Sequence, residues 1–244
     1  MLTADRPPVR GARAPRAAGA AVAASLLLLS GCGGGDREVN DFGCLSPDEA
    51  EAGYVTFTSS ENQEVEAYAT GKGGTALILA HQADGDVCQW VPDARKLAAD
   101  GYRVIAVDST GSEVAELTAA ATYARSKGAH KVLLMGASMG GTAVLEAAGS
   151  ITPPVNAVVS LSAPAHFDEL DAAGTVPGLT MPVFYMASQD DTAFADSTRK
   201  LSKATTKAGE NDLTIVPGTN HGVSLLDDAG NLAKVRAFLK KYGG

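Results

Sequence analysis

Lys131-Val132-Leu133-Leu134-Met135-Gly136-Ala137-Ser138-Met139-Gly140-Gly141 is the stretch on which the fold of this chain turns. Val132 to Met135 is an apolar run without a polar interruption, the pattern of a strand covered on both faces. Gly136-Ala137-Ser138-Met139-Gly140 follows at once, and Gly141 to Ala148 then reads as a helix. A strand ending in a tight turn that opens a helix is the setting that the pattern G-x-S-x-G requires. There the serine takes a strained backbone angle, and only small residues two before and two after it let strand and helix pass closely. Taken alone the pentapeptide is weak, because a serine at that place also serves as a plain helix N-cap. Its weight depends on what stands at the ends of the other strands.

Thr75 to Ala80 and Tyr102 to Val107 are further apolar runs of strand length. Tyr54 to Thr58 and Val65 to Ala69 alternate and carry β-branched and aromatic side chains, with the polar Ser60 to Gln63 between them. They read as an antiparallel hairpin at the edge of a sheet. Ala157 to Leu161, Val183 to Ala187 and Leu213 to Val216 supply three more strands. Helical patterns fit between them at Gln89 to Ala99, Glu113 to Lys127, Asp196 to Lys207 and Leu232 to Lys241. Strands alternating with helices over this length predict an α/β fold, a mostly parallel sheet with helices on both faces. No internal repeat and no second domain is visible, and the segment from Pro164 to Pro182 is too short to encode a large lid.

Beyond Ser138 two further strand ends carry chemistry. Met181-Pro182-Val183-Phe184-Tyr185-Met186-Ala187-Ser188-Gln189-Asp190-Asp191 ends in paired carboxylates, and Val216-Pro217-Gly218-Thr219-Asn220-His221-Gly222 ends in a histidine. On these three motifs, in this order, the chain resembles the α/β-hydrolase superfamily. It is nearer the compact dienelactone-hydrolase-like and esterase-like members than the large lidded lipases. The resemblance runs from about Tyr54 to Lys241 and implies the α/β-hydrolase fold without a large lid, a nucleophile–acid–histidine order and no cofactor. By that pattern Ser138 is the nucleophile and His221 its base. The acid is the fourth residue after the strand, counting Ser188 as the first, which is Asp191, with Asp190 as the alternative.

The chemistry explains the residue types. A serine at its own pKa is a poor nucleophile, so a histidine must take its proton as it attacks. A carboxylate must hold the imidazole in the right tautomer and stabilise it when charged. The oxyanion that develops needs two donors aimed at it. The resemblance assigns these to the backbone N–H of Met139 and, in the loop beyond Ala80, to that of Ala83, with Gln82 as the alternative. Many members carry His-Gly where this chain has His81-Gln82, a departure that leaves the loop path open. His81 itself reads as a structural hydrogen-bonding group. Dienelactone hydrolases use a cysteine nucleophile, and the serine here speaks against transferring their substrate.

Other residues carry weaker expectations. Trp90 is a possible wall of the acyl pocket, and His166 and Phe167, beyond the strand Ala157 to Leu161, are possible cleft residues. Each has an ordinary reading as core or surface. Cys44 and Cys88 are either a disulfide clipping the N-terminal extension to the domain or two buried thiols. Neither cysteine has metal-ligand spacing around it, and Asp84, Asp86 and Asp168 show no ordered ligand pattern, so no metal is expected.

Residues 1–31 read as a targeting segment. Arg6, Arg10, Arg13 and Arg16 stand against a single acid, Asp5, ahead of an apolar run from Ala21 to Leu29. A positive leader, a short apolar stretch and small residues before a cut are the parts of an export signal. Leu29-Ser30-Gly31-Cys32 resembles the lipobox of bacterial lipoproteins, which makes Cys32 the lipidated mature N-terminus. An ordinary signal peptide or a membrane anchor are the alternatives, although the apolar run is short for a span. The expected organisation is a signal peptide at 1–31, a tether and extension at 32–50, and a catalytic domain at 51–244. The chain carries a formal net charge of −8, and residues 1–31 hold a net +3 of it, so the remainder is near −11. That argues against nucleic acid or an anionic membrane surface as a partner.

The sequence thus points to an exported serine hydrolase, held at the outer face of the cell membrane only through its lipid, and monomeric. It is expected to cleave small or polymeric carboxylic esters through an acyl-enzyme. Amide or thioester cleavage uses the same groups. A binding lipoprotein that has kept the fold and lost catalysis is the competing reading, since a fold alone does not fix a function.

Overall fold

The computed structural model describes residues 39–244; the expected signal segment and Cys32 lie outside them. Chain order is α1 (Pro47–Gly53), β1 (Tyr54–Thr58), β2 (Glu64–Thr70), β3 (Thr75–Ala80), α2 (Val91–Ala99), β4 (Arg103–Asp108), α3 (Glu113–Ser126), β5 (Lys131–Ala137) and α4 (Met139–Ser150). There follow β6 (Ala157–Leu161), the short β7 (His166–Phe167) and β8 (Leu170–Asp171), α5 (Ala172–Thr175), β9 (Val183–Ser188), α6 (Thr192–Ala204), β10 (Asn211–Val216) and α7 (Ala229–Gly243). Eight strands form one sheet in the order β1-β2-β4-β3-β5-β6-β9-β10. Only β2 runs against the rest, pairing antiparallel with both β1 and β4. The α/β fold with a mostly parallel sheet is therefore as expected, hairpin at the edge included.

The two-residue period of a strand explains why the central strands are apolar throughout. In β3, Ala76, Ile78 and Ala80 enter the core on one face, with Leu117, Ala120, Ala121 and Ala124 of α3 and the buried side of α4. Leu77 and Leu79 enter the core on the other face, with Ala94 and Leu97 of α2 and Val235, Phe238 and Leu239 of α7. Alternate side chains point to opposite faces, so a strand sandwiched between helices has no position for a polar residue. Leu77, Ile78 and Leu79 are fully buried, each contributing roughly 1.5–3 kcal/mol of transfer free energy. The four α3 residues recur at helical spacing, and three of them are alanines, which lets the helix lie close to the sheet.

Residues 39–50, within the expected tether and extension at 32–50, pack against the domain: Leu45 is buried and Asn40 Nδ2 donates to Glu66 Oε2 at 2.6 Å. Helix α1 starts on a capping box, Ser46 Oγ accepting from Glu49 N and Glu49 Oε2 accepting from Ser46 N at 3.1 Å. Such a box satisfies two of the donors a helix start leaves open. Cys44 and Cys88 are joined as a disulfide across 44 residues of sequence. A closed loop of that length restricts the unfolded chain by about 4 kcal/mol in the chain-entropy picture. The helix expected at 89–99 is split into a single tight turn, Val87–Gln89, and α2, with Pro92 in the first turn of α2, where its missing N–H costs nothing.

Candidate active site

Six parallel strands end on one edge of the sheet, and the candidate residues stand on the loops that leave it. Ser138 lies between β5 and α4 at φ 52°, ψ −119°. That left-handed φ is strained for a residue with a side chain. The surroundings hold it there. Ser138 N donates to Leu161 O at 2.8 Å, and Thr142 N donates to Ser138 O at 3.1 Å. A side chain on Gly136 would bring its Cβ within 2.0 Å of Gly140 O, and one on Gly140 within 2.4 Å of Ala80 O. These two glycines let α4 start directly at Met139 and press against the end of β3, so the helix begins two residues earlier than its sequence pattern indicates.

His221 leaves the end of β10, and its Nδ1 lies 2.6 Å from Asp191 Oδ2. Asp191 sits at the start of α6, where its backbone carbonyl accepts from Ala195 N at 2.9 Å and its carboxylate is left for the histidine. With an ionised Asp191 the shared hydrogen belongs to Nδ1 and donates to the carboxylate, which leaves Nε2 as the proton acceptor. Phe194 closes one side of the imidazole, edge to face at 4.2 Å between ring centres. Asp190 is exposed and makes a backbone bond instead, its N–H donating to Gly218 O at 2.9 Å. Of the two neighbouring acids, Asp191 is the one that meets His221.

The loop after His221 is packed against the turn that carries Ser138. A Cβ on Gly222 would stand 3.3 Å from Ala137 Cβ. Gly222 N donates to Ser162 Oγ at 3.1 Å and Val223 N to Gln82 Oε1 at 2.8 Å. Ser224 closes the loop locally, accepting from His221 N at 3.0 Å and donating to His221 O at 2.8 Å. Ser162, Gln82, Ser224 and Phe194 in these roles were not foreseen. Ser162, Gln82 and Phe194 act through contacts between separate strand ends, for which a sequence carries no periodic signal, while Ser224 acts locally, three residues beyond His221.

The loop expected to supply one oxyanion donor follows β3. Gln82 N donates to Gln89 Oε1 at 3.1 Å, so that N–H is engaged. The N–H groups of Ala83 and Met139 have no protein acceptor among the described residues. His81 is buried and fixes the loop with both ring nitrogens: Ser109 N donates to Nε2 at 3.0 Å, so Nδ1 carries the hydrogen and donates to Gln82 O at 2.7 Å. Below it, burial holds the Asp108 carboxyl above the usual carboxylate range.

Trp90 is corrected. It is fully buried in the core between the sheet and α2 and presents no surface to a cleft. His166 and Phe167 form half of the β7–β8 hairpin. The exposed His166 lies 3.1 Å from Asp171 Oδ1, and Phe167 packs on the core beside α4. No hydrogen bond, ion pair or ring contact among the described residues joins either to Ser138, Asp191 or His221. No group of three His, Cys, Asp or Glu among the described residues is placed to hold a metal ion.

The same architecture occurs in solved structures. An esterase of Pyrococcus furiosus superposes with a TM-score of 0.68 at 14% identity, over 78% of this chain and 90% of that one. The esterase domain of a Rhodothermus marinus protein gives 0.63 at 21% identity, over 78% and 98%. An esterase of a Rhodococcus species gives 0.64 at 16%, over 78% and 100%. At these identities the likeness is one of fold. A search of curated proteins found no sequence match. Residues 93–235, more than half of the 244-residue chain, match the family model described as "Dienelactone hydrolase family". With Ser138 where dienelactone hydrolases carry cysteine, and with Asp191 and His221 in the family's order, the chain belongs to the dienelactone hydrolase family.

Proposed function

We propose that this protein is a serine carboxylesterase. The observation that carries the reading is the Asp191–His221 pair, closed at 2.6 Å beside a serine on a positive-φ turn. Ser138 Oγ attacks the ester carbonyl carbon while His221 Nε2 takes its proton. The carbonyl oxygen, now negative, lies between the N–H groups of Met139 and Ala83. Collapse expels the alcohol, which leaves with the proton held on His221. Water, deprotonated by the same nitrogen, then attacks the acyl-enzyme and releases the acid and Ser138.

The loops at this edge of the sheet, residues 81–90, 109–112, 162–171, 189–194 and 217–227, contain, besides the Asp191 that meets His221, Asp84, Asp86, Asp168, Glu169, Asp171, Asp190 and Asp227 and no Lys or Arg. That balance supports neutral esters over anionic ones. The short connection between β6 and β9, a two-strand hairpin followed by the single turn α5 and one tighter turn at Val176–Gly178, supports small or extended substrates over long-chain ones. Hydrolysis of p-nitrophenyl acetate, butyrate and palmitate tests this. The short esters are expected to be cleaved at least tenfold faster in kcat/KM, a range that one or two apolar contacts decide. Faster turnover of the palmitate, or of anilides and thioesters only, would remove the assignment.

Export and lipidation at Cys32 complete the proposal, with a catalytic domain that starts beyond the leader. The support is the leader's charge and apolar pattern, and a disulfide that suits an oxidising compartment. In cells fed an alkynyl fatty acid the protein is expected to take the label and to sediment with membranes. Cys32→Ser should lose both properties, and membrane retention without label would contradict the lipid anchor.

A further inference from the structure

Gln82 stands where many members of the family carry glycine, and every polar group it has is used. Its N–H is held by Gln89 Oε1 at 3.1 Å, and its carbonyl accepts from His81 Nδ1 at 2.7 Å and from Gly85 N at 3.1 Å. The side chain then crosses to a segment 141 residues away, where Oε1 accepts the N–H of Val223 at 2.8 Å. The amide nitrogen faces Asp84 Oδ1 at 3.4 Å. A donor on one side and a carboxylate on the other fix which end of the amide is oxygen. The crossing leaves no room at its far side: a Cβ on Gly222, at φ 58°, would come within 2.1 Å of Gln82 Oε1.

We infer that Gln82 is a positioning residue that ties the oxyanion loop to the histidine loop, so that Ala83 N–H and the His221 ring keep one separation. The two N–H groups that directly follow His221 are both caught from other strand ends, Gly222 by Ser162 and Val223 by Gln82. Gln82 alone of the two also lies in the loop that carries an oxyanion donor. Ser138 needs the base and the donor at the same moment, and a shift of about 1 Å in such a constellation costs about 100-fold in rate. In family members with glycine at this position that link has no side chain to make it. The inference rests on the esterase reading given above.

Gln82→Met keeps the length of the side chain and removes the acceptor. Its kcat on a short p-nitrophenyl ester is expected to fall by about 10- to 100-fold, with KM within about threefold and an unchanged circular dichroism spectrum, because substrate binding does not need the tie. Gln82→Glu keeps an oxygen for Val223 N–H and is expected to hold kcat within about tenfold of the parent, above Gln82→Met. A folded Gln82→Met with the kcat of the parent overturns the inference. So does a folded Gln82→Glu as impaired as Gln82→Met or, where Gln82→Met does not fold, impaired by more than about tenfold. Failure of the parent protein to cleave any ester is a separate result, and it strikes the esterase reading instead.

Discussion

Asp191→Asn is expected to lower kcat on a short ester about 10⁴-fold, the size of effect seen when the orienting carboxylate of such a triad becomes an amide. The carboxylate accepts from His221 Nδ1 at 2.6 Å, which reserves Nε2 for the serine proton. An asparagine that turns its NH₂ group to Nδ1 selects the other tautomer, with the hydrogen on Nε2, where it cannot accept. It also leaves the imidazolium formed during attack without its counter-charge. The backbone of residue 191 caps α6 through its carbonyl, and the substitution leaves that bond in place, so the fold is expected to hold. The control is the neighbouring acid. Asp190→Asn should change kcat by less than about threefold, since the part Asp190 plays is made by its N–H to Gly218 O. Steady-state kinetics on the two variants decide between the carboxylates, and a large loss in Asp190→Asn with little in Asp191→Asn would reverse the assignment.

That choice also marks how far the sequence could be read. The strand Val183–Ser188, the acid pair behind it and the strand before His221 were visible as apolar runs ending in polar turns. Which of two adjacent carboxylates faces the next loop is a matter of backbone direction, and only the family pattern spoke to it. The elbow was legible for a stronger reason. Gly136 and Gly140 are demanded by contacts of 2.0 and 2.4 Å that any side chain would violate, so the pentapeptide records a packing requirement directly. The same packing hid the start of α4. Gly140 and Gly141 are poor helix formers, and tertiary contact with Ala80 and Leu161 outweighs their propensity there.

Some elements carry a local signature in the sequence. Ser46 followed three residues later by Glu49 is a capping-box signature, and α1 follows from it. Trp90 illustrates the opposite error. A large aromatic next to a disulfide and an oxyanion loop suggests a pocket wall, whereas a ring of that size is most simply buried, and here it fills the core beneath α2. The Gln82–Val223 bond joins residues 141 apart and leaves no local trace. Only the departure from glycine at that position signalled that the loop is built differently.

Ser138 is the residue on which the whole reading rests. It is nearly buried, at 8% exposure, and is held at a positive φ by Leu161 O, Gly136 and Gly140. The Met139 N–H that follows it has no protein acceptor among the described residues, and the turn that carries Ser138 packs against the loop of His221. Ser138→Ala keeps the small side chain the turn tolerates and removes the nucleophile. It should therefore fold as the parent does and lose about 10⁶ in kcat, as loss of the serine does in other triad enzymes. The most direct measurement is reaction of the purified protein with a fluorophosphonate, followed by mass spectrometry of the labelled peptide. One label per chain, on the peptide containing Ser138 and absent from Ser138→Ala, is the expected result. A folded parent protein that takes no label, or takes it on another residue, would contradict an activated serine at this position.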